Sequence, residues 1–116
     1  MNTPPQSIRA FVALGANLGE PVMHLRAAVE DLAALPGTQV TARSSLYRSA
    51  PVGLLNQPDF INAVVAVDTD LPPLALLRHL LAIEARHGRV RSVANAPRTL
   101  DLDLLLHGDT VLHDDE

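Results

Sequence analysis

Leu100-Asp101-Leu102-Asp103-Leu104-Leu105-Leu106 places leucine at every second position from 100 to 106 and aspartate at 101 and 103 between them. In a strand, alternate side chains point to opposite faces. Leu100, Leu102, Leu104 and Leu106 therefore face a core, and both aspartates face the other way. Aspartate is a poor strand former, so a pair inside a strand marks a place where chemistry or solvation outweighs propensity. At about 3.3 Å per residue the two carboxylates start roughly 6.6 Å apart, a spacing that can straddle a pair of Mg²⁺ ions. A solvated strand face stays open beside that reading.

Working back from this strand, the pattern is one of alternating sheet and helix segments. Ile8 to Ala16 is an apolar run that stops at Gly15-Ala16-Asn17-Leu18-Gly19, a buried strand feeding a turn with glycines at positive φ. Pro21 opens a helix in which Val22, Leu25, Ala28, Val29 and Leu32 recur at helical spacing until Pro36-Gly37. Val40 to Tyr47 reads as a second strand and Phe60 to Val67 as a third. Between them Ser49 to Pro58, with prolines at 51 and 58 and Gly53, is a long loop. Pro72-Pro73 opens a second helix that ends at Gly88, with Leu74, Leu77, Leu80, Leu81 and Ile83 toward the core. Leu100 to Leu106 is the fourth strand, and Val111-Leu112, past the Gly108-Asp109 turn, starts a further hairpin strand.

The order β-α-β-β-α-β predicts an α+β, ferredoxin-like fold, an antiparallel sheet with the helices packed on one face. With 116 residues, 47% of them hydrophobic, residues 1–116 are expected to form one domain around one core. The chain has no cysteine, which removes thiol catalysis and cysteine-ligated metals and suits a reducing compartment. Neither a signal peptide nor an apolar run of membrane-spanning length is evident, so a cytoplasmic protein without a membrane partner is expected. A net charge of −4 and 3% aromatics oppose a nucleic-acid partner, including an RNA-binding sheet of similar topology.

All nine basic residues are arginine, and Arg86, Arg89, Arg91 and Arg98 lie in one short stretch before the aspartates. Guanidinium forks suit phosphate oxygens. Phe60 and Asn62 share a face of the third strand, where a ring and an amide could hold a planar heterocycle or serve only as core and turn residues. The five histidines are scattered, without helical zinc spacing; His79 and His87 read as helix-surface residues, and His107 as part of a solvated turn. Ser44, Ser45 and Ser49 lack a base partner in sequence, leaving nucleophilic catalysis unsupported.

Taken together, Gly15 to Gly19, Tyr47-Arg48-Ser49-Ala50-Pro51-Val52-Gly53, Gln57-Pro58-Asp59-Phe60-Ile61-Asn62, Gly88-Arg89-Val90-Arg91 and Pro97-Arg98-Thr99-Leu100-Asp101-Leu102-Asp103 resemble the 6-hydroxymethyl-7,8-dihydropterin pyrophosphokinase family in order and spacing. The resemblance implies Mg²⁺-dependent transfer of the β,γ-diphosphate of ATP to the hydroxymethyl oxygen of the pterin, with release of AMP, in folate biosynthesis. It implies that Asp101 and Asp103 hold two Mg²⁺ ions and that Arg89, Arg91 and Arg98 bind the ATP phosphates, Arg89 and Arg98 with a catalytic part. Phe60 would stack on the pterin, Asn62 would bond its edge, and Ser49, Ala50 and Val52 would line it. A monomer is expected. The family continues beyond Val111-Leu112 into a segment with a Pro-His pair, further arginines and a second aromatic, which this chain is expected to lack. Asn95-Ala96 also stand where some members have a tryptophan and a glycine. A non-catalytic pterin- or nucleotide-binding homologue is the alternative reading.

Overall fold

The computed structural model describes residues 7–50, 57–88 and 100–111. Six strands and two helices follow one another as β1 (Ile8–Ala16), α1 (Pro21–Ala33), β2 (Thr38–Arg43), β3 (Tyr47–Ser49), β4 (Phe60–Thr69), α2 (Pro73–Arg86), β5 (Asp101–His107) and β6 (Thr110–Val111). The strands form one sheet in the order β2-β4-β1-β5-β6, with every pairing antiparallel. β3 pairs with β4 as well, beyond the end of β2. This is the α+β, ferredoxin-like arrangement that the segment order predicts.

Among the described residues, helices cover one face only. Ala10, Val12, Leu14 and Ala16 of β1, Val65 and Val67 of β4, and Leu100, Leu102 and Leu104 meet Leu25, Ala28, Val29 and Leu32 of α1 and Leu76, Leu80 and Ile83 of α2 in one core. Burying each large aliphatic side chain stabilises the fold by about 1.5–3 kcal/mol relative to leaving it exposed. The period-2 pattern of β1 and β5 thus assigns one side of the sheet to the helices. The other side carries Phe11, Ala13, Gly15, Phe60, Asn62, Asp101 and Asp103.

The structure corrects four expectations. The expected second strand, Val40 to Tyr47, is two strands end to end along β4, because the ladder slips between Val40 and Ala42 and breaks at Ser44 to Leu46. Ser44 still exchanges bonds with Val64: its N–H donates to the Val64 carbonyl at 2.8 Å, and its Oγ accepts from the Val64 N–H at 2.9 Å. The core face of α2 is rotated. Leu76, Leu80, Ile83 and Glu84 are buried, whereas Leu74 and Leu81 are 67% and 43% exposed. Leucines lie on nearly every side of this helix, so periodicity alone selects no single face.

A β-bulge between Phe11 and Val12 skips Leu105: Val12 pairs with Leu104 but Phe11 with Leu106. The extra residue inverts the alternation beyond it. Leu106 therefore leaves the core face and His107 joins it, 9% exposed, with Nε2 donating to the Leu71 carbonyl at 2.8 Å. His107 is a structural residue rather than part of a solvated turn. Gly108, at φ +61°, then turns the chain into β6, whose Val111 pairs with Leu106. Leu112 lies outside the described residues.

A candidate active site on the open face of the sheet

The register of the sheet aligns residues from four strands in one row. Gly15 of β1 pairs with Asp101 on one side and with Asn62 on the other, and Asn62 pairs in turn with Tyr47 of β3. Directly paired residues point to the same side, so Asp101, Asn62 and Tyr47 all stand on the face without helices. Asp101 and Asn62 are two strand spacings apart, about 10 Å between backbones. Asp103 stands in the next row, level with Ala13 and Val64. Phe60 shares the parity of Asn62 and pairs with Ser49. Asp101, Asp103, Phe60 and Asn62 are all half-buried.

Gly15 is what lets this row close up. A Cβ built there would lie 3.2 Å from Asn62 Oδ1, tighter than ordinary van der Waals contact. Asn62 Nδ2 donates to Ser49 Oγ at 2.8 Å, so the amide is already oriented by the neighbouring strand. Its carbonyl oxygen is the group left to read a donor edge of a ligand. Ser49 therefore acts here as a positioning group for Asn62, while Ala50 is exposed at the end of β3.

Sequence reasoning missed two residues near this face. Asn17, only 2% exposed, donates through Nδ2 to Gln57 Oε1 at 2.8 Å and to the Pro58 carbonyl at 2.9 Å. It ties the end of the long loop to the end of β1, beside a cleft of about 380 Å³ lined by Asn17, Gly19, Arg48, Pro58, Asp59 and Ile61. The signal was present as an asparagine inside a buried turn that caps no helix: α1 begins at Glu20 without a side-chain cap. Glu84 of α2 is the other. Its Oε2 accepts a 2.7 Å bond from the backbone N–H of Leu102, between the two aspartates, and the side chain is 2% exposed. A charged residue among leucines on a helix carries no sequence mark of burial.

Among the described residues no group of three or more histidine, aspartate or glutamate side chains is arranged to hold a metal ion. Asp101 and Asp103 form a two-carboxylate set on one side of one strand. Such a set fits Mg²⁺, a hard cation usually held by one or two carboxylates and completed by water and substrate phosphates. It does not fit zinc, which favours nitrogen and sulfur ligands. Val52, Arg89, Arg91 and Arg98 lie outside the described residues. Among the described residues, no helix is long and apolar enough to cross a membrane.

Residues 11–115 match the family model described as 7,8-dihydro-6-hydroxymethylpterin-pyrophosphokinase. Three curated proteins named 2-amino-4-hydroxy-6-hydroxymethyldihydropteridine pyrophosphokinase are similar to the chain over most of its length. The protein from Pseudomonas aeruginosa is 51% identical over 104 residues, 90% of this chain and 64% of its own length. That from Haemophilus influenzae is 44% identical over 108 residues, 93% of this chain and 68% of its own length. A third, from Pseudomonas putida, is 50% identical over 106 residues, 91% of this chain and 88% of its own length. The chain thus spans about two thirds of the length of the first two relatives.

Proposed function

The chain belongs to the 7,8-dihydro-6-hydroxymethylpterin-pyrophosphokinase family, and on that premise we propose that it transfers diphosphate from ATP to the hydroxymethyl oxygen of 6-hydroxymethyl-7,8-dihydropterin, releasing AMP, as a step of folate biosynthesis. The observation that supports this reading is the row Asp101, Gly15, Asn62, which sets the Asp101 carboxylate and the Asn62 amide on one face.

In this proposal Phe60 stacks on the pterin and the Asn62 carbonyl accepts from its edge, held in place by Ser49. Ala50 and Val52 are assigned backbone contacts to the pterin, as the family resemblance implies. Asp101 and Asp103 would hold Mg²⁺, two ions in this proposal, and the metal would supply charge neutralisation for the ATP phosphates. Arg89, Arg91 and Arg98 grip the phosphate oxygens, and Arg89 and Arg98 offset the charge that develops as the bond to the AMP phosphate breaks. No protein nucleophile is needed, because diphosphate transfer to an alcohol rests on alignment and electrostatics. The leucines beneath Asp101 and Asp103 keep the strand rigid and the carboxylates pointed outward.

The test is AMP formation from Mg·ATP with and without 6-hydroxymethyl-7,8-dihydropterin. Pterin-dependent AMP supports the proposal. Binding of both compounds without AMP would replace it with a non-catalytic binding homologue, and binding of neither would remove the site assignment altogether.

A further inference from the structure

On the helix side of the molecule, His24 and His87 meet Nδ1 to Nδ1 at 2.8 Å. Their ring centroids are 5.1 Å apart and their planes are inclined at 70°. Such a centroid separation with so short a nitrogen contact sets the rings end to end, the arrangement of a straight N–H···N hydrogen bond rather than of two ligands converging on a metal. Nε2 of His87 lies 3.3 Å from Asp31 Oδ2, and its side chain is only 12% exposed. A carboxylate accepts there, so with both rings neutral the His87 proton sits on Nε2 and the lone pair on Nδ1. His24 is then the Nδ1–H tautomer and donates. Arg86 also reaches the same Asp31 oxygen, at 3.7 Å.

The three residues connect parts of the chain far apart in sequence. His24 and Asp31 belong to α1, and Nε2 of His24 lies 3.6 Å from where a Cβ on Gly19 would be, against the turn that carries Asn17. His87 is the residue that caps the C-terminus of α2. Gly88 follows at φ +82°, and Arg89 comes next in the chain. The bond therefore fixes the end of α2, from which the chain runs on in sequence to Arg89 and Arg91.

We propose that His24, His87 and Asp31 form a positioning clamp that ties the end of α2 to α1, and that this clamp sets the affinity for the triphosphate of ATP without touching it. The clamp deepens the pyrophosphokinase reading and rests on it for the roles of Arg89 and Arg91. Pterin recognition, built on β3 and β4 across the sheet, is independent of the clamp.

The test uses the whole chain and its His24→Ala, His87→Ala and double variants, titrated by calorimetry with Mg·ATP and, separately, with the pterin. Each single variant is expected to weaken Mg·ATP binding about three- to tenfold, as loss of one coupled interaction does. The double variant should lose no more than either single one, and pterin affinity should stay unchanged. His24→Asn, which keeps an N–H donor near the Nδ1 position, should recover most of the affinity. In ¹⁵N-histidine-labelled protein the bond should appear as a scalar coupling between the two Nδ1 atoms. Unchanged Mg·ATP affinity, additive losses, equal loss of pterin affinity or absence of the N–N coupling would each overturn the clamp. Failure of the enzymatic reading looks different: Mg·ATP binding and its dependence on the histidines persist, but pterin-dependent AMP is missing.

Discussion

The carboxylate of Glu84 accepts the backbone N–H of Leu102 at 2.7 Å, and Leu102 is the residue between Asp101 and Asp103. A helix side chain thus anchors the strand that presents both candidate metal ligands. A buried carboxylate bonded to a backbone N–H is among the stronger hydrogen bonds a protein makes, and removing it leaves a buried donor unsatisfied. Glu84→Leu should therefore cost about 2–3 kcal/mol in urea denaturation. Glu84→Gln, which can still accept the bond, should cost less. If Glu84→Leu were as stable as the parent protein, the anchor would have no energetic role.

Asp101→Asn and Asp103→Asn test the carboxylates themselves. Pterin-dependent AMP formation should fall by about 10²-fold or more in each, as expected for loss of charge stabilisation at a reacting centre. Both variants should unfold within about 1 kcal/mol of the parent, because neither side chain is part of the core. Parent-like turnover in either variant would show that its carboxylate is not a metal ligand.

Gly15→Val probes the close approach of β1 to the Asn62 amide. The added side chain must displace Asn62 Oδ1 and with it the bond to Ser49. Pterin affinity should fall about five- to tenfold, the equivalent of one hydrogen bond, while Mg·ATP affinity stays the same. Phe60→Ala should separate the two ligands in the same direction, by loss of stacking. Equal losses for pterin and Mg·ATP in calorimetry would argue that the row reads no heterocycle.

Arg9 and Asp68, a cross-strand pair on β1 and β4, are joined at 2.9 and 3.2 Å. The hydrogen bond from the Arg9 guanidinium, aided by its charge, holds the Asp68 carboxyl below its usual range. A folded-state value below the unfolded one means that the pair stabilises above the unfolded carboxylate value, near 3.9, and ceases to do so as pH falls through the folded value. Melting curves of the parent protein and Asp68→Asn should therefore differ slightly at pH 6 and converge as the pH falls below the unfolded carboxylate value. Added salt should shrink the difference, since the pair is solvent-exposed. A gap that widened on acidification would contradict this account.

Much of the architecture was legible because the local rules agreed with one another. β1 begins and ends at the residues its apolar run marks, and the prolines at 21 and 73 open the two helices. Asp101, Asp103, Phe60 and Asn62 could be assigned to faces by parity, and the register then places those faces on the same side. What escaped has physical causes. The bulge at Leu105 sits in a run of three leucines, where any register looks equally apolar, so the inversion that buries His107 leaves no trace in the pattern. Glu84 was missed and His87 was read as a surface residue because propensity assigns polar helix residues to solvent. Only the packing of α2 against β5 and α1 shows that they have partners. The Ser49 bond to Asn62 joins residues 13 apart across a loop, and no local rule reaches that far.

The central strand has a further implication for how the protein is made. Gly15 finds one neighbour at Asn62 and the other at Asp101, so the middle of the sheet waits on residues translated long after it. Contacts so distant in sequence form slowly and leave apolar strand edges uncovered in the interim. A ribosome stalled before residue 100 would hold a sheet with one side of β1 unpaired, a substrate for chaperones. Arrival of the strand that carries Asp101 and Asp103 would then be the event that covers the open side of β1.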